Sequence, residues 1–275
     1  MKLEVRGLSY SYRDCRALDG ASLSVDSGEL LCVIGPNGAG KSTLFKCVLS
    51  LIRGYGGSVL VDGLDIKMMK SSELSRKVAY IPQDHHPSFD YTALEVTMMG
   101  AASSAGLFSS PGRDDEQNAL GRLAELGMLH LAGRSYARMS GGERQLVLIA
   151  RALAQNARVL VMDEPTANLD YGNQIRVMEH TAELARKGYT IVASTHNPEH
   201  ALMWATRVAV LVGGTVIADG QPALVLTEQL LERVYGTRVR MFPLGTGGTS
   251  AYQACVPESI AKTIERCDRK VLIGG

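Results

Sequence analysis

The sequence predicts an α/β protein with a mostly parallel central sheet, and two observations carry that expectation. Short apolar runs at Leu30–Ile34, Val78–Ile81, Val159–Met162 and Thr190–Thr195 each end just before a polar or glycine-rich stretch. Continuous runs of Val, Ile and Leu suit strands buried on both faces, as in a parallel sheet. Segments with helical apolar spacing lie between these runs, and such alternation implies α/β architecture.

In chain order, the start MKLEVRGLSY alternates charged and apolar residues and lacks the apolar centre of a secretory signal. After Lys41, residues Leu44, Phe45, Val48, Leu51 and Ile52 follow helical spacing, and Gly54 is the expected stop. The stretch Asp84–Arg138 carries little strand signal. Its middle, Ala101–Gly112, is small and flexible in composition, and a helical pattern resumes at Leu120, Leu123 and Leu126 with Gly127 as cap. A mostly helical subdomain over about 84–138, inserted into the α/β core, is the expectation. After Ser140, residues Leu146, Ile149, Ala150 and Leu153 mark another helix. Arg207–Val212, Gly213-Gly214 and Thr215–Ala218 read as two strands around a tight turn. Beyond Gly236 the pattern weakens: RVRMFPLGTGGTSAYQACVP suits a short hairpin and Ser259–Cys267 a helix. There is no internal repeat. The expected division is therefore a main domain over 1–236 and a C-terminal extension over 237–275.

Composition excludes several classes. With 29 basic and 28 acidic residues the formal charge is +1, which gives no global reason to expect nucleic-acid binding. No apolar run approaches the roughly 18–20 residues needed to cross a bilayer. The five cysteines, Cys15, Cys32, Cys47, Cys255 and Cys267, are odd in number and form no CxxC pair. Cys32 and Cys47 lie in apolar periodic segments and are expected as buried thiols, which fits a reducing cytosol.

Gly35-Pro36-Asn37-Gly38-Ala39-Gly40-Lys41-Ser42-Thr43 fits GxxxxGK[ST] between an expected strand and an expected helix, the context a phosphate loop requires. Glycines let backbone N–H groups crowd around phosphate oxygens without Cβ clashes. The helix that follows turns its positive end to the same anion. Lys41 adds a full charge for the β- and γ-phosphates, and Ser42 offers a hydroxyl to Mg²⁺.

The run Val159–Met162 leads into Asp163-Glu164. Two adjacent acids at the end of a buried strand are costly unless they are used. Asp163 is the candidate to hold Mg²⁺ through water, and Glu164 to polarise an attacking water. Ser140-Gly141-Gly142-Glu143 opens the next helix as a capping box, Ser140 capping and Glu143 reaching back. The box leaves the two glycines unexplained, because glycine weakens a helix start. Bare glycines there suit close approach to an anion. The chain thus owns two phosphate-facing helix starts, and only the first has a lysine and a carboxylate pair to go with it. Two chains arranged head-to-tail would complete each other's sites.

These residues resemble the ATP-binding-cassette superfamily, over about residues 1–236, with every expected motif in order. Gly35–Thr43 is similar to its Walker A loop and VLVMDEPT (Val159–Thr166) to Walker B with its catalytic glutamate. MSGGERQ (Met139–Gln145) resembles the LSGGQ signature, with Met139 for Leu and Glu143 for the usual Gln. Gln83 in YIPQ resembles the Q-loop glutamine, Ala167–Asp170 the D-loop, and Thr195-His196 the switch histidine. Tyr12 matches the aromatic that stacks on adenine, with Tyr10 as the competing candidate.

The resemblance implies a P-loop NTPase fold with an N-terminal antiparallel β subdomain, ATP as substrate and Mg²⁺ as cofactor. It implies that His196 contacts the γ-phosphate, that Gln83 touches Mg²⁺ and relays nucleotide state to the helical subdomain, and that Asp170 couples two sites across a homodimer.

More narrowly, Tyr80–Gly100 and Asn168–Gln174 resemble importer ATPases for iron-siderophore, haem and cobalamin uptake. That implies permease subunits in the membrane, an extracytoplasmic substrate-binding protein, and a peripheral position on the cytoplasmic face. Phe89, Tyr91, Met98 and Met99 fall where such proteins dock a permease helix, and serve equally as subdomain core. His85 and His86 are adjacent, so their side chains diverge and do not chelate one ion. The alternatives are an exporter ATPase or a soluble, non-transport cassette ATPase. The absence of sustained heptads and of a second cassette weighs against the non-transport forms.

Overall fold

The computed structural model describes residues 1–83, 90–102, 112–244 and 252–261. Two antiparallel strands open the chain, β1 (Leu3–Tyr12) and β2 (Cys15–Val25), followed by β3 (Leu30–Ile34) and helix α1 (Lys41–Val48). Next come β4 (Gly56–Val61), β5 (Leu64–Asp65), α2 (Ser71–Ser75) and β6 (Val78–Ile81). The middle is helical: α3 (Ala93–Ala102), α4 (Arg113–Glu125) and α5 (Gly141–Ala154). Then β7 (Val159–Met162), α6 (Tyr171–Arg186), β8 (Thr190–Thr195) and α7 (Pro198–Trp204) alternate. The chain closes with β9 (Arg207–Val212), β10 (Thr215–Gly220), α8 (Pro222–Val225), α9 (Glu228–Tyr235), β11 (Val239–Leu244) and β12 (Tyr252–Pro257).

The central sheet has the order β10-β9-β3-β8-β7-β6. All its neighbours are parallel except the β9–β10 hairpin. Every residue of β3, β7 and β8 is buried, which is why β3 and β7 read as unbroken apolar runs and β8 as a mostly β-branched one. A second, antiparallel sheet of order β2-β1-β4-β5 covers one side, so the expected N-terminal β subdomain is present. Its core residues, with Leu44 and Phe45 of α1 and the outward-facing residues of β3, β7 and β8, form one cluster. The opposite faces of β7 and β8 join α3, α4, α5 and α6 in another, and Cys32 and Ile34 of β3 pack with α7, β9 and α9 in a third. Cys32 and Cys47 are buried thiols as expected, and burial pushes them up to about 12 and about 11.

Two details depart from expectation, and a third is new. Helix α1 ends at Val48 instead of running to Gly54. Ser50 adopts a left-handed conformation at φ 56°, and the amides of Leu51 and Ile52 both turn back to the carbonyl of Lys46. A serine thus closes the helix where a glycine was expected, and Leu51 is left 66% exposed. The strand begun at Thr215 runs on to Gly220. Gly100 on α3 stands against α5 so closely that a Cβ there would lie 1.9 Å from the Arg151 carbonyl oxygen.

The hairpin expected after Gly236 is β11–β12. Residues 258–261 are helical, and the rest of the helix expected over Ser259–Cys267 lies outside the described residues. His85, His86, Phe89 and most of Ala101–Gly112 also lie outside them. No helix among the described residues is long and apolar enough to cross a membrane.

Candidate functional site

Strand β3 delivers Gly35 at the end of the parallel sheet, between β8 and β9. The loop that follows is threaded against backbone. A Cβ on Gly35 would lie 2.1 Å from the Leu211 carbonyl oxygen, and one on Gly40 would lie 2.4 Å from that of Ala17. Gly40 also sits at φ 106° as the cap of α1, so close approach and backbone conformation both demand glycine there. The β9–β10 turn braces the loop from behind: the Gly214 amide donates to the Ala39 carbonyl at 3.0 Å. Ala39 is buried, Pro36 and Thr43 are half-buried, and Asn37, Gly38 and Ser42 are open to solvent.

Lys41 is 7% exposed. Its ammonium donates to the carbonyl of Gly35 at 2.7 Å and of Pro36 at 3.2 Å. Burial holds its pKa below the ordinary lysine value, and the carboxylates of Glu164 and Asp163 oppose that shift. The cation is thus kept at the loop by carbonyls and by the two acids the sequence singled out.

Those acids follow β7, and the Asp163 amide extends the ladder by donating to Ile81 at 2.9 Å. Strand β8 lies next door, with Met162 opposite Ala193, so the residues just beyond meet. The Ser194 hydroxyl donates to Asp163 Oδ1 at 2.7 Å and accepts from the Glu164 amide at 2.8 Å. Glu164 takes a left-handed conformation at φ 44°, which is unusual for a glutamate and marks a constrained position. Its Oε2 lies 3.4 Å from Nδ1 of His196, whose side chain is 63% exposed. Gln83 follows β6 and is exposed. Ser194 was missed in the sequence; its signal was a polar residue inside an otherwise apolar run, and it is fully buried.

The second helix start forms the expected capping box. The Ser140 amide donates to Glu143 Oε2 at 2.7 Å, and the Glu143 amide donates to Ser140 Oγ at 3.3 Å. The Ser140 amide bond is the main reason the Glu143 carboxyl titrates below the usual range. The glycines also have a packing role. A Cβ on Gly142 would lie 2.2 Å from Asn173 Oδ1, and one on Gly141 would lie 2.9 Å from Leu169 Cδ2. Packing of α5 on the turn into α6 is a second reason for glycine at 142, beside the anion approach expected of the pair. Asp170 caps α6, accepting from the Asn173 amide at 2.9 Å and its side-chain Nδ2 at 2.8 Å. The two helix starts therefore rest on different supports: the phosphate loop on β2 and β9, the start of α5 on α6.

At the other edge Tyr12 is 42% exposed. Tyr10 touches it edge-on at 4.9 Å and packs on the core, so Tyr12 offers the freer ring face. In α3, Met99 is exposed and Met98 half-buried, whereas Tyr91 packs against the helical core.

Among the described residues Ser194 engages only Oδ1 of Asp163, and Ser42 and Gln83 present hard oxygen donors to solvent. That set suits Mg²⁺, which usually takes one or two protein oxygens and completes its shell with water and phosphate. Among the described residues no three His, Cys, Asp or Glu converge on one metal position, so an ion here would draw most ligands from a nucleotide.

Residues 18–167 match the family model described as ABC transporter. The hemin import ATP-binding protein HmuV of Myxococcus xanthus is 39% identical over 248 residues, which cover 88% of this chain and 92% of that one. Among solved structures, a chain of an ABC transporter of metal-chelate type in an inward-facing conformation superposes with a TM-score of 0.81 at 29% identity, covering 94% of this chain and 98% of that one. A dimeric bacterial ABC transporter cassette superposes with a TM-score of 0.69 at 26% identity, covering 80% of this chain and 98% of that one.

Proposed function

The chain belongs to the ABC transporter family as an ATP-hydrolysing subunit, and on that premise we propose that it powers a type II importer from two composite ATP sites in a head-to-tail homodimer. The carrying observation is the Glu164–His196 pair at 3.4 Å, at the sheet end that also holds Lys41.

In this reading the loop Gly35–Thr43 cradles the phosphates of ATP, and Lys41 leaves the loop carbonyls for the β- and γ-phosphates. Tyr12 stacks on the adenine ring. Ser42, Gln83 and, through water, Asp163 would hold Mg²⁺, which would neutralise phosphate charge. Glu164 accepts a hydrogen bond from the attacking water, and His196 donates to the γ-phosphate, so the pair aligns the water for displacement of ADP. Ser140, Gly141, Gly142 and Glu143 of one protomer close over the γ-phosphate held by its partner. The α5 start has no lysine of its own, and a second chain supplies one. The dimeric cassette among the structural neighbours supports that arrangement. Asp170, which caps α6 beside the Gly142–Asn173 contact, couples the two sites in this reading.

Partners follow from the same premise. The permease is a separate polypeptide, docked near α3 and the segment after Gln83. A substrate-binding protein stands on the far side of the membrane, and this chain is peripheral on the cytoplasmic face. The hemin relative and the metal-chelate transporter support an iron-siderophore, haem, cobalamin or related chelate as cargo.

Lys41→Ala tests the nucleotide site. Removing two charge-assisted contacts to phosphate is expected to weaken ATP binding by on the order of 100-fold or more, measured by titration with a fluorescent ATP analogue. Wild-type affinity in that variant would contradict the phosphate-loop reading.

A further inference from the structure

We propose that His200 is a positioning residue for hydrolysis, tying together the two strand ends that carry Glu164 and His196. It sits on α7, one turn beyond His196, and is 7% exposed. Its Nδ1 lies 3.3 Å from the hydroxyl of Thr166 and 3.5 Å from the hydroxyl of Thr195. Thr166 is two residues past Glu164 at the end of β7, and Thr195 immediately precedes His196 at the end of β8. As an acceptor Nδ1 has one lone pair, shared between the nearer Thr166 hydroxyl and that of Thr195, so one ring nitrogen faces both backbone segments that present the two reacting side chains.

The hydrogen-bond inventory is consistent with an accepting Nδ1. Thr195 Oγ1 already accepts from the Asn197 amide at 3.1 Å, so its own proton is available to the ring. Burial, with a further contribution from His196, holds the His200 imidazole below the ordinary histidine range, which keeps it neutral and able to accept at neutral pH. Ser194 ties the same two strand ends through Asp163 and the Glu164 amide. The 3.4 Å separation of Glu164 and His196 is thus set from both sides: by Ser194 towards β7 and β8, and by His200 from α7. Loss of the His200 bridge lets the α7 side drift, and a general base out of line by a fraction of an ångström loses rate before it loses substrate.

The inference rests on the assignment of Glu164 and His196 given above, and its test separates the two. In the full-length chain, His200→Phe keeps a ring against Trp204, which meets His200 edge-on at 5.7 Å, but removes the accepting nitrogen. His200→Asn places an amide oxygen near the Nδ1 position and removes the ring. Expected for His200→Phe are a kcat for ATP hydrolysis lowered about tenfold and a KM for ATP within about twofold of wild type. His200→Asn is expected to recover most of kcat. Thr166→Val should reproduce the kcat loss without touching α7, and combined with His200→Phe it should add nothing further.

Unchanged kcat in His200→Phe, or equal losses in the Phe and Asn variants, overturns the positioning role. So does a full additive loss in the double variant. If Glu164→Gln hydrolyses ATP normally, the underlying assignment fails instead.

Discussion

Gly142→Ala probes the junction between the start of α5 and the turn into α6. The new Cβ would meet Asn173 at 2.2 Å from Oδ1, 2.3 Å from Cγ and 2.7 Å from Cβ. Rotating the Asn173 side chain relieves the first two contacts and leaves the third, because its Cβ moves only with the backbone. Reaching ordinary contact distance requires the α5 and α6 starts to separate by about 1 Å. Overpacking of this kind costs about 1–3 kcal/mol, and the better helix propensity of alanine returns up to about 1 kcal/mol. The expected net loss of stability is about 1–2 kcal/mol. The consequence for activity is larger. Asn173 is the partner of Asp170 at both 2.9 and 2.8 Å, so the start of α5 and Asp170, to which the proposal gives site-closing and coupling roles, shift together, and a 1 Å misplacement can cost about 100-fold in rate. The phosphate loop stands on β2 and β9 and should bind ATP as before. Thermal unfolding, fluorescent ATP titration and steady-state ATPase assays read the three effects separately. An ATPase rate within twofold of wild type, with an unchanged melting temperature, would refute this reasoning.

Three further outcomes are expected. Gly141→Ala meets only the flexible end of Leu169 at 2.9 Å, so its ATPase loss should be clearly smaller than that of Gly142→Ala. Gly100→Ala drives α3 away from the Arg151 carbonyl and should lower stability by about 1–2 kcal/mol after the propensity gain, seen as a melting temperature a few degrees lower with ATP affinity intact. Stability should also fall as pH drops through the histidine range. His180 and His200 are both held below 6.5, chiefly by burial, so the unfolded chain takes up protons that the fold refuses. For His200 the slope is up to about 1.4 kcal/mol per pH unit between 6.5 and its depressed native value. Glu125 and Glu183 are held low, so their losses begin only below the ordinary carboxylate value of 4.5. Urea unfolding at pH 7.5 and 5.5 measures the difference, and His200→Phe should flatten it; equal stability at both pH values in the wild type would contradict the burial argument.

Much of this molecule is legible in its sequence where local chemistry decides. Strands β3 and β7 are buried on both faces, so their apolar runs begin and end where the strands do. The Ser140–Glu143 box satisfies its own amides, and nothing distant is needed to predict it. What escaped the sequence depends on neighbours far along the chain. That Gly142 also packs on the turn into α6 shows only once Asn173 is placed against it. Ser194 is an ordinary strand residue until β8 is placed beside β7. His200 is one more histidine until α7 folds back over both strand ends. The end of α1 was missed for a different reason: Ser50 accepts a left-handed conformation for which glycine is the usual signal.

In the proposed cycle ATP joins two copies of this chain, and Glu164 frees them by activating the water that hydrolyses the ATP. Glu164→Gln keeps the shape of the side chain and removes its basicity, leaving Lys41 and the phosphate loop untouched. Size-exclusion chromatography with light scattering, run with and without ATP and Mg²⁺, should show this variant as a monomer alone and a stable dimer with ATP. A monomer under both conditions, together with ATP hydrolysis at the wild-type rate, would contradict the account.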